Sequence, residues 1–288
     1  MAVITDCTLL SIRQPDGDET LGIRTEDGVV DLKRLGFTLN LDQVLSQGRG
    51  GELAALANSK AALIPEATIT YGRLFANPGK IVCVGLNYRR HAQEIGLPPP
   101  KQPVLFSKFN NSLAANRCTV KLPEMSSKVD YETELLIVIG RTARNVSEAS
   151  ALDYVAGYCT ANDLSARDLQ METGGQWLAG KTCDGFAPIG PYFISSDQIK
   201  DPNDLKIQTW VNGEIRQDWT TSDFIFNCQQ VISYISKIFP LDPGDLIFTG
   251  TPHGVIAGMP KDKQVWLKSG DKIKSHIEKL GTLEFNLA

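Results

Sequence analysis

The chain has 288 residues, 42% hydrophobic and 22% charged, which is room for one large globular domain or two. A formal net charge of −4 lacks the basic footprint of a nucleic-acid binder, and no run approaches the ~18 apolar residues of a membrane-spanning helix. The opening Met1 to Cys7 shows no basic stretch followed by an apolar one, so the expectation is a cytoplasmic protein with a small-molecule partner. The six cysteines are scattered, with no C-x-x-C pair and no Cys-His cluster, which argues against a disulfide framework or a structural zinc site.

In chain order, residues 1–75 read as a small α+β unit. Short strands over Cys7–Ile12, Leu21–Thr25 and Val29–Asp31 are separated by Asp/Gly turns, and helix-like segments follow at Leu41–Gln47 and Glu52–Asn58. The sequence Ala76-Asn77-Pro78-Gly79 marks a boundary, and residues 76–288 form a second, β-rich domain. Strands are predicted at Ile81–Val84, Val104–Lys108, Glu134–Ile139, Val155–Ala161, Tyr192–Ser195, Lys206–Val211, Leu246–Thr249, Gln264–Lys268, Lys272–Ile277 and Thr282–Asn286. Helices are few: Tyr88–Ile95, Ala149–Leu152, Ser165–Glu172 and Phe224–Ile238. Asn212-Gly213 supplies the positive φ angles of a type I′ hairpin. Strands that outnumber helices without strict alternation imply a β-rich α+β protein, a mixed β-sandwich roll rather than a doubly wound sheet.

Asp130-Tyr131-Glu132-Thr133-Glu134-Leu135 opens the most apolar strand and puts two carboxylates at a core edge. The period of two sets Glu132 and Glu134 on one face, their Cα atoms about 6.5–7 Å apart. Two anions there repel and lose hydration, and either solvent, Lys/Arg partners or a divalent cation must compensate. Asp163, at the end of the strand before Leu164-Ser165-Ala166-Arg167, is either a helix N-cap or a third oxygen ligand. Arg167 and Gln170 lie three residues apart on the following helix and can share a face.

Gly175-Gln176-Trp177-Leu178-Ala179-Gly180-Lys181-Thr182 matches the phosphate-binding pattern G-x-x-x-x-G-K-[ST] letter for letter. That pattern functions only between a buried strand and a helix. Here a helical segment precedes it, and a Gly/Pro-rich stretch follows, so a nucleotide site is not expected. Lys181 reads instead as an exposed lysine or as an ammonium that stabilises an oxyanion. Of three histidines, His91 precedes Glu94 by one helical turn, a pair that can fix an imidazole tautomer and deprotonate water. His253 sits in the loop Thr249-Gly250-Thr251-Pro252-His253-Gly254-Val255, where ligand contacts concentrate, and His276 alternates along a strand as a structural residue.

Taken together, Gly85-Leu86-Asn87-Tyr88, Asp130 to Leu135, Asn162 to Gln170, Gly180-Lys181-Thr182 and Thr249 to Val255 resemble, in order, the fumarylacetoacetate hydrolase family. The resemblance runs from about Lys80 to the C-terminus and is nearest to the acylpyruvase and oxaloacetate decarboxylase branch. It implies a mixed β-roll, a homodimer, and Mg²⁺ or Mn²⁺ (with Ca²⁺ an option) held by residues that fall on Glu132, Glu134 and Asp163. It further implies His91 and Glu94 as a lid dyad and Lys181 as the stabiliser of substrate charge. Arg167, Gln170 and Thr251 fall on substrate-binding positions. His253 departs from the family's usual small residue or lysine and is taken as a contact to the distal end of substrate. The implied chemistry is C–C hydrolysis of an acylpyruvate or decarboxylation of an oxaloacetate-type 2-oxo acid. A keto–enol isomerase is the alternative, and a non-catalytic metal-binding scaffold the remote one.

Overall fold

The computed structural model describes residues 4–57 and 59–288. Met1 to Val3, part of the opening read for a leader, and Asn58, the last residue of the expected helix Glu52–Asn58, lie outside the described residues. Two sheets and one long helix organise the described chain. The larger sheet has 11 strands in the order Leu63–Ile64, Gly28–Asp31, Glu19–Thr25, Thr8–Arg13, Ala187–Ser195, Val155–Asn162, Thr133–Ile139, Leu246–Phe248, Ile81–Gly85 and Val104–Ser107, with Leu113–Ala114 alongside Ala187–Ser195. The smaller has five, in the order Glu214–Thr220, Lys206–Val211, Lys272–Ile277, Gly281–Leu287 and Thr119–Val120. Most pairings are antiparallel, but Leu246–Phe248 runs parallel to Ile81–Gly85, so the sheet is mixed, as expected.

The strand Thr133–Ile139 is buried along its whole length because its two faces serve two cores. Leu136 and Val138 pack into a core shared with Leu9, Leu21, Leu41 and Val44 of the N-terminal unit. Leu135, Ile137 and Ile139 pack against Val231, Ile232 and Ile235 on the long helix Cys228–Ile238. That helix starts later than the expected Phe224. Asn227 caps it, accepting from the Gln230 N–H while the Gln230 side chain answers the Asn227 N–H, and Phe224 belongs to the core instead.

Thr8 and Leu9 pair with Ile194 and Phe193, so the N-terminal strands extend the main sheet. Two further expectations change. Gln264–Lys268 is not a strand; only Leu267 forms a bridge, to Val129, after a 3-10 turn at Lys261–Lys263. Ser165 and Ala166, expected to open a helix, form a two-residue strand with Asp130 and Val129, and the helix is Arg167–Met171. The Asn212-Gly213 hairpin is as read, with φ of 53° and 85°.

Candidate metal centre and active site

Strand register brings the three acids together. Thr133 faces Asn162 across the ladder, so Glu132 and Glu134 flank the point where the neighbouring strand ends, and the Asp163 N–H donates to Glu132 O at 2.8 Å. One carboxylate oxygen from each of Glu132, Glu134 and Asp163 lies within 4.8 Å of the others, and all three residues are buried.

Cations meet these acids unevenly. Lys181 Nζ donates to Glu132 Oε2 at 2.7 Å and to Asp163 Oδ2 at 2.8 Å. Lys108 Nζ donates to the other Asp163 oxygen at 2.6 Å. Arg167 reaches Glu132 Oε1 at 2.6 Å and Asp130 Oδ2 at 2.8 Å, and donates to Gln170 Oε1 at 3.0 Å. Among the described residues no cation pairs with Glu134, and Gly250 N–H, at 2.7 Å, is its hydrogen-bond donor. The titration behaviour follows. Burial would raise Glu132, but Lys181 and Arg167 outweigh it and hold the carboxyl down at about 2. Burial, then the charges of Asp163 and Glu132, push Glu134 well above the carboxylate range. Burial opposes the Lys181 ammonium, yet Asp163 and Glu132 keep its pKa above the ordinary lysine value.

Four carboxylates (Asp130, Glu132, Glu134, Asp163) thus face three cations (Lys108, Arg167, Lys181), with the shortfall at Glu134. An all-oxygen donor set short of positive charge fits a hard divalent cation, and Glu132, Glu134 and Asp163 are the residues that would hold it.

The short helix Arg89–Glu94 closes one side. His91 is buried, and its Nδ1 lies 3.0 Å from Glu94 Oε2. Glu94 Oε1 accepts the Gly254 N–H at 2.9 Å, which ties this helix to the Thr251–Val255 loop. A Cβ on Gly258 would stand 2.3 Å from the Glu94 carboxyl carbon, so glycine permits this close seat. Asp130 ties the same loop to Arg167: its two oxygens accept from Ile256 N and Ala257 N at 2.9 and 3.0 Å.

The cavity beside these groups measures about 370 Å³ and is lined by His91, Glu132, Glu134, Arg167, Gln170, Lys181 and Thr251 together with an apolar wall. Its size is that of a small-molecule site. Asp163 lies beneath it, fully buried. Thr251 lines the cavity, but its hydroxyl donates to Thr133 O at 2.9 Å and accepts from Gln217 Nε2 at 2.9 Å, so its proton is already committed. Two other expected site residues do not line the cavity: Glu94 stands behind His91, and the His253 ring packs edge-on against Trp219 at 4.8 Å between centroids. Gln217 explains the turn of this loop: its amide also donates to Pro252 O at 2.8 Å, pulling the segment toward the smaller sheet. The P-loop reading ends here too. Lys181 closes a four-residue helix, Leu178–Lys181, and its ammonium is spent on carboxylates.

Sequence reasoning missed Lys108, the anchoring role of Asp130, and Gln217. Lys108 ends an apolar strand as Glu132 begins one, and that shared signal was readable. Gln217 carries no such mark in the sequence, because its importance lies in contacts across two sheets.

The fold is a mixed β-roll, and its buried carboxylate triad has the donor set of a site that could hold a divalent cation. The sequence pattern described as fumarylacetoacetate (FAA) hydrolase C-terminal matches residues 80–288, and the chain belongs to the fumarylacetoacetate hydrolase family. It is similar to the oxaloacetate tautomerase Fahd2a, mitochondrial, of Rattus norvegicus, with 41% identity over 260 residues, covering 89% of this chain and 82% of the relative. Its fold is similar to that of fumarylacetoacetate hydrolase from Exiguobacterium antarcticum, at TM-score 0.81, 30% identity, and coverage of 98% and 99%. It is also similar to fumarylpyruvate hydrolase from Pseudomonas aeruginosa in complex with Mn²⁺ and pyruvate, at TM-score 0.66, 33% identity, and coverage of 73% and 89%.

Proposed function

We propose that this protein enolises a 2-oxo acid at the carbon beside the keto group, as a keto–enol tautomerase. Mg²⁺ or Mn²⁺ is the proposed cofactor, and a homodimer the proposed assembly. The observation that carries the reading is the convergence of the Glu132–Glu134–Asp163 triad, Lys181 and the His91–Glu94 pair on one cavity. The name of the 41% identical rat relative supports tautomerisation as the outcome.

When bound, the cation supplies Lewis-acid polarisation of the substrate's oxygens. The protein does the rest. Glu94 accepts from His91 Nδ1–H, which leaves Nε2 as the ring's basic nitrogen. His91 Nε2 takes the C3 proton, and returning it to oxygen gives the enol. Two of the three Lys181 N–H groups serve Glu132 and Asp163, and the third donates to the enolate oxygen as charge develops there. Gln170 accepts from Arg167 through Oε1, leaving its amide N–H groups for the substrate carboxylate.

A second reading, C–C hydrolysis of an acylpyruvate or loss of CO₂ from a 3-carboxy-2-oxo acid, uses the same enolate. The His91–Glu94 pair favours its hydrolytic form, since the base that takes a carbon-bound proton can equally activate water. The test is a panel of oxaloacetate and acetylpyruvate with Mg²⁺ or Mn²⁺, followed by enol absorbance, pyruvate formation and CO₂ release. Enol decay without pyruvate supports tautomerisation; pyruvate or CO₂ in step with enol loss assigns the second reading. Turnover that survives Glu132→Ala or Asp163→Ala with its metal dependence intact would overturn both.

A further inference from the structure

Two walls of the cavity are held in different ways. The strand that presents Glu134 is paired on both edges, Glu134 with Ala161 and Leu136 with Phe248. The loop 249–255, which presents Gly250 and Thr251 to the cavity, joins no ladder among the described residues. Hydrogen bonds alone place it. Gly250 N–H donates to Glu134 and the Thr251 hydroxyl to Thr133 O at one end, and Gly254 is tied to Tyr131 and Glu94 at the other.

Gln217 holds the turn between those ends. It stands on the strand Glu214–Thr220 of the smaller sheet and is 1% exposed. Its Oε1 accepts from the Thr209 hydroxyl at 2.6 Å and from Thr133 N–H at 3.3 Å. Its Nε2 donates to Thr251 Oγ1 at 2.9 Å and to Pro252 O at 2.8 Å. Both acceptor and both donor places of the amide are thereby filled. The amide has one orientation only, because a flip would set its N–H groups against Thr133 N–H and its oxygen against Pro252 O.

The acceptor side is braced in turn. Thr133 lies between the two triad glutamates, and with a period of two its side chain points away from theirs, toward the smaller sheet. Its hydroxyl lies 2.5 Å from that of Thr209 and 2.7 Å from that of Ser275. Asn162 Nδ2 donates to Ser275 Oγ at 3.0 Å, and Asn162 Oδ1 accepts the Glu132 N–H at 3.1 Å. Thr133, Asn162, Thr209 and Ser275 are fully buried, so none can turn to solvent for a replacement partner.

We infer that Gln217 is a positioning residue for the substrate site. Through Thr251 and Pro252 it holds the loop wall at a set distance from the Glu132–Glu134 strand. Its loss weakens substrate binding and leaves metal binding in place, since the ladder holds the strand without it. The substrate half of this inference rests on the 2-oxo acid reading of the cavity.

Two variants test it. Gln217→Met keeps the side-chain length and removes donor and acceptor together, whereas Gln217→Glu keeps the acceptor side. With oxaloacetate or acetylpyruvate and saturating Mn²⁺, Gln217→Met should raise KM about tenfold and leave kcat and Mn²⁺ affinity within about threefold of the parent. The Gln217→Glu carboxyl can still donate while protonated, but once ionised it sets an anion against Pro252 O. Its KM relative to the parent's should therefore rise with pH, which a residue needed only for stability would not cause. Hydrogen exchange needs no substrate: the amides of His253, Gly254 and Val255 should exchange about tenfold faster in Gln217→Met, with those of Leu135–Ile139 unchanged.

An unchanged KM, unchanged exchange in the loop, or Mn²⁺ affinity falling as far as KM rises each overturns the inference. If Gln217→Met does not fold, a Gln217→Glu ratio that is flat with pH overturns it. If the parent turns over neither substrate, the 2-oxo acid reading fails by itself, and exchange decides the positioning: acceleration confined to the loop upholds it, and none overturns it.

Discussion

Two glutamates in this molecule, one half-buried and one buried, have opposite surroundings. Glu66, at the seam between the N-terminal strands and the main sheet, is held by three donors: Tyr71 at 2.8 Å, Arg24 at 3.1 Å and the Tyr192 hydroxyl. Burial raises its pKa, but those hydrogen bonds and the Arg24 charge prevail and the net shift is downward. Glu134, with one backbone donor and two anionic neighbours, shifts upward. A carboxylate whose charge is met by its own fold is part of the framework. One that the fold leaves short of charge takes up a proton more readily and is where a bound cation would find an unmet carboxylate.

Lys181→Met should have the largest effect. It strips the cation from between Glu132 and Asp163, and breaking so buried a pair is expected to destabilise by about 3–5 kcal/mol and to lower turnover about 10²–10³-fold. Arg24→Met, at the half-exposed seam pair, should change stability by no more than about 1 kcal/mol. Urea unfolding of both variants sharpens the contrast, and equal losses would break it.

Glu134→Gln should abolish tight binding of Mn²⁺, with an affinity loss of about 100-fold, yet leave the metal-free protein as stable as the parent or more so. The amide removes an anion that Asp163 and Glu132 repel. Melting in EDTA beside Mn²⁺ titration reads both effects. A lower melting temperature in EDTA would mean that Glu134 is framework after all.

Lys108→Met is expected to be intermediate. Asp163 keeps Lys181 but loses its second cation, and the affinity for Mn²⁺ should change by about 10–100-fold as the carboxylate loses its fixed orientation. An unchanged affinity would confine Lys108 to packing.

Glu66→Gln should be the mildest, about 1 kcal/mol at neutral pH. Because the folded pKa of Glu66 lies below its unfolded value, its contribution is present above the unfolded pKa, near 4.5, and is lost as pH falls through the folded pKa. The difference between parent and variant should therefore shrink toward zero below that range, in chemical unfolding followed as a function of pH. A difference independent of pH would show that the carboxylate charge is not what the seam uses.

Much of this architecture was legible beforehand, for local reasons. Strands such as Lys206–Val211 and Lys272–Ile277 match their predicted bounds because alternation and flanking turns define a half-buried strand without reference to partners. Arg167 and Gln170 share a face because helical spacing alone requires it. Gln264–Lys268 failed as a strand because its alternating Val265 and Leu267 suit a bridge as well as a ladder, and only pairing partners decide between them. His253 does not line the cavity because a Gly/Pro loop can turn either way, and the Gln217 hydrogen bonds and the Trp219 ring draw this one toward the smaller sheet.

By itself the chain's order of residues determined the β-rich class, the pairing of Glu132 with Glu134 on one strand face and the motif set that places it in its family, all of which rest on spacing along the backbone. Tertiary structure alone decided that Lys108 and Lys181 both brace Asp163. It also decided that no described cation pairs with Glu134, and that apolar side chains share the cavity with the charged groups. These are facts about which side chains meet across strands far apart in the chain. Charge balance and cavity shape are properties of such meetings, and no local pattern encodes them.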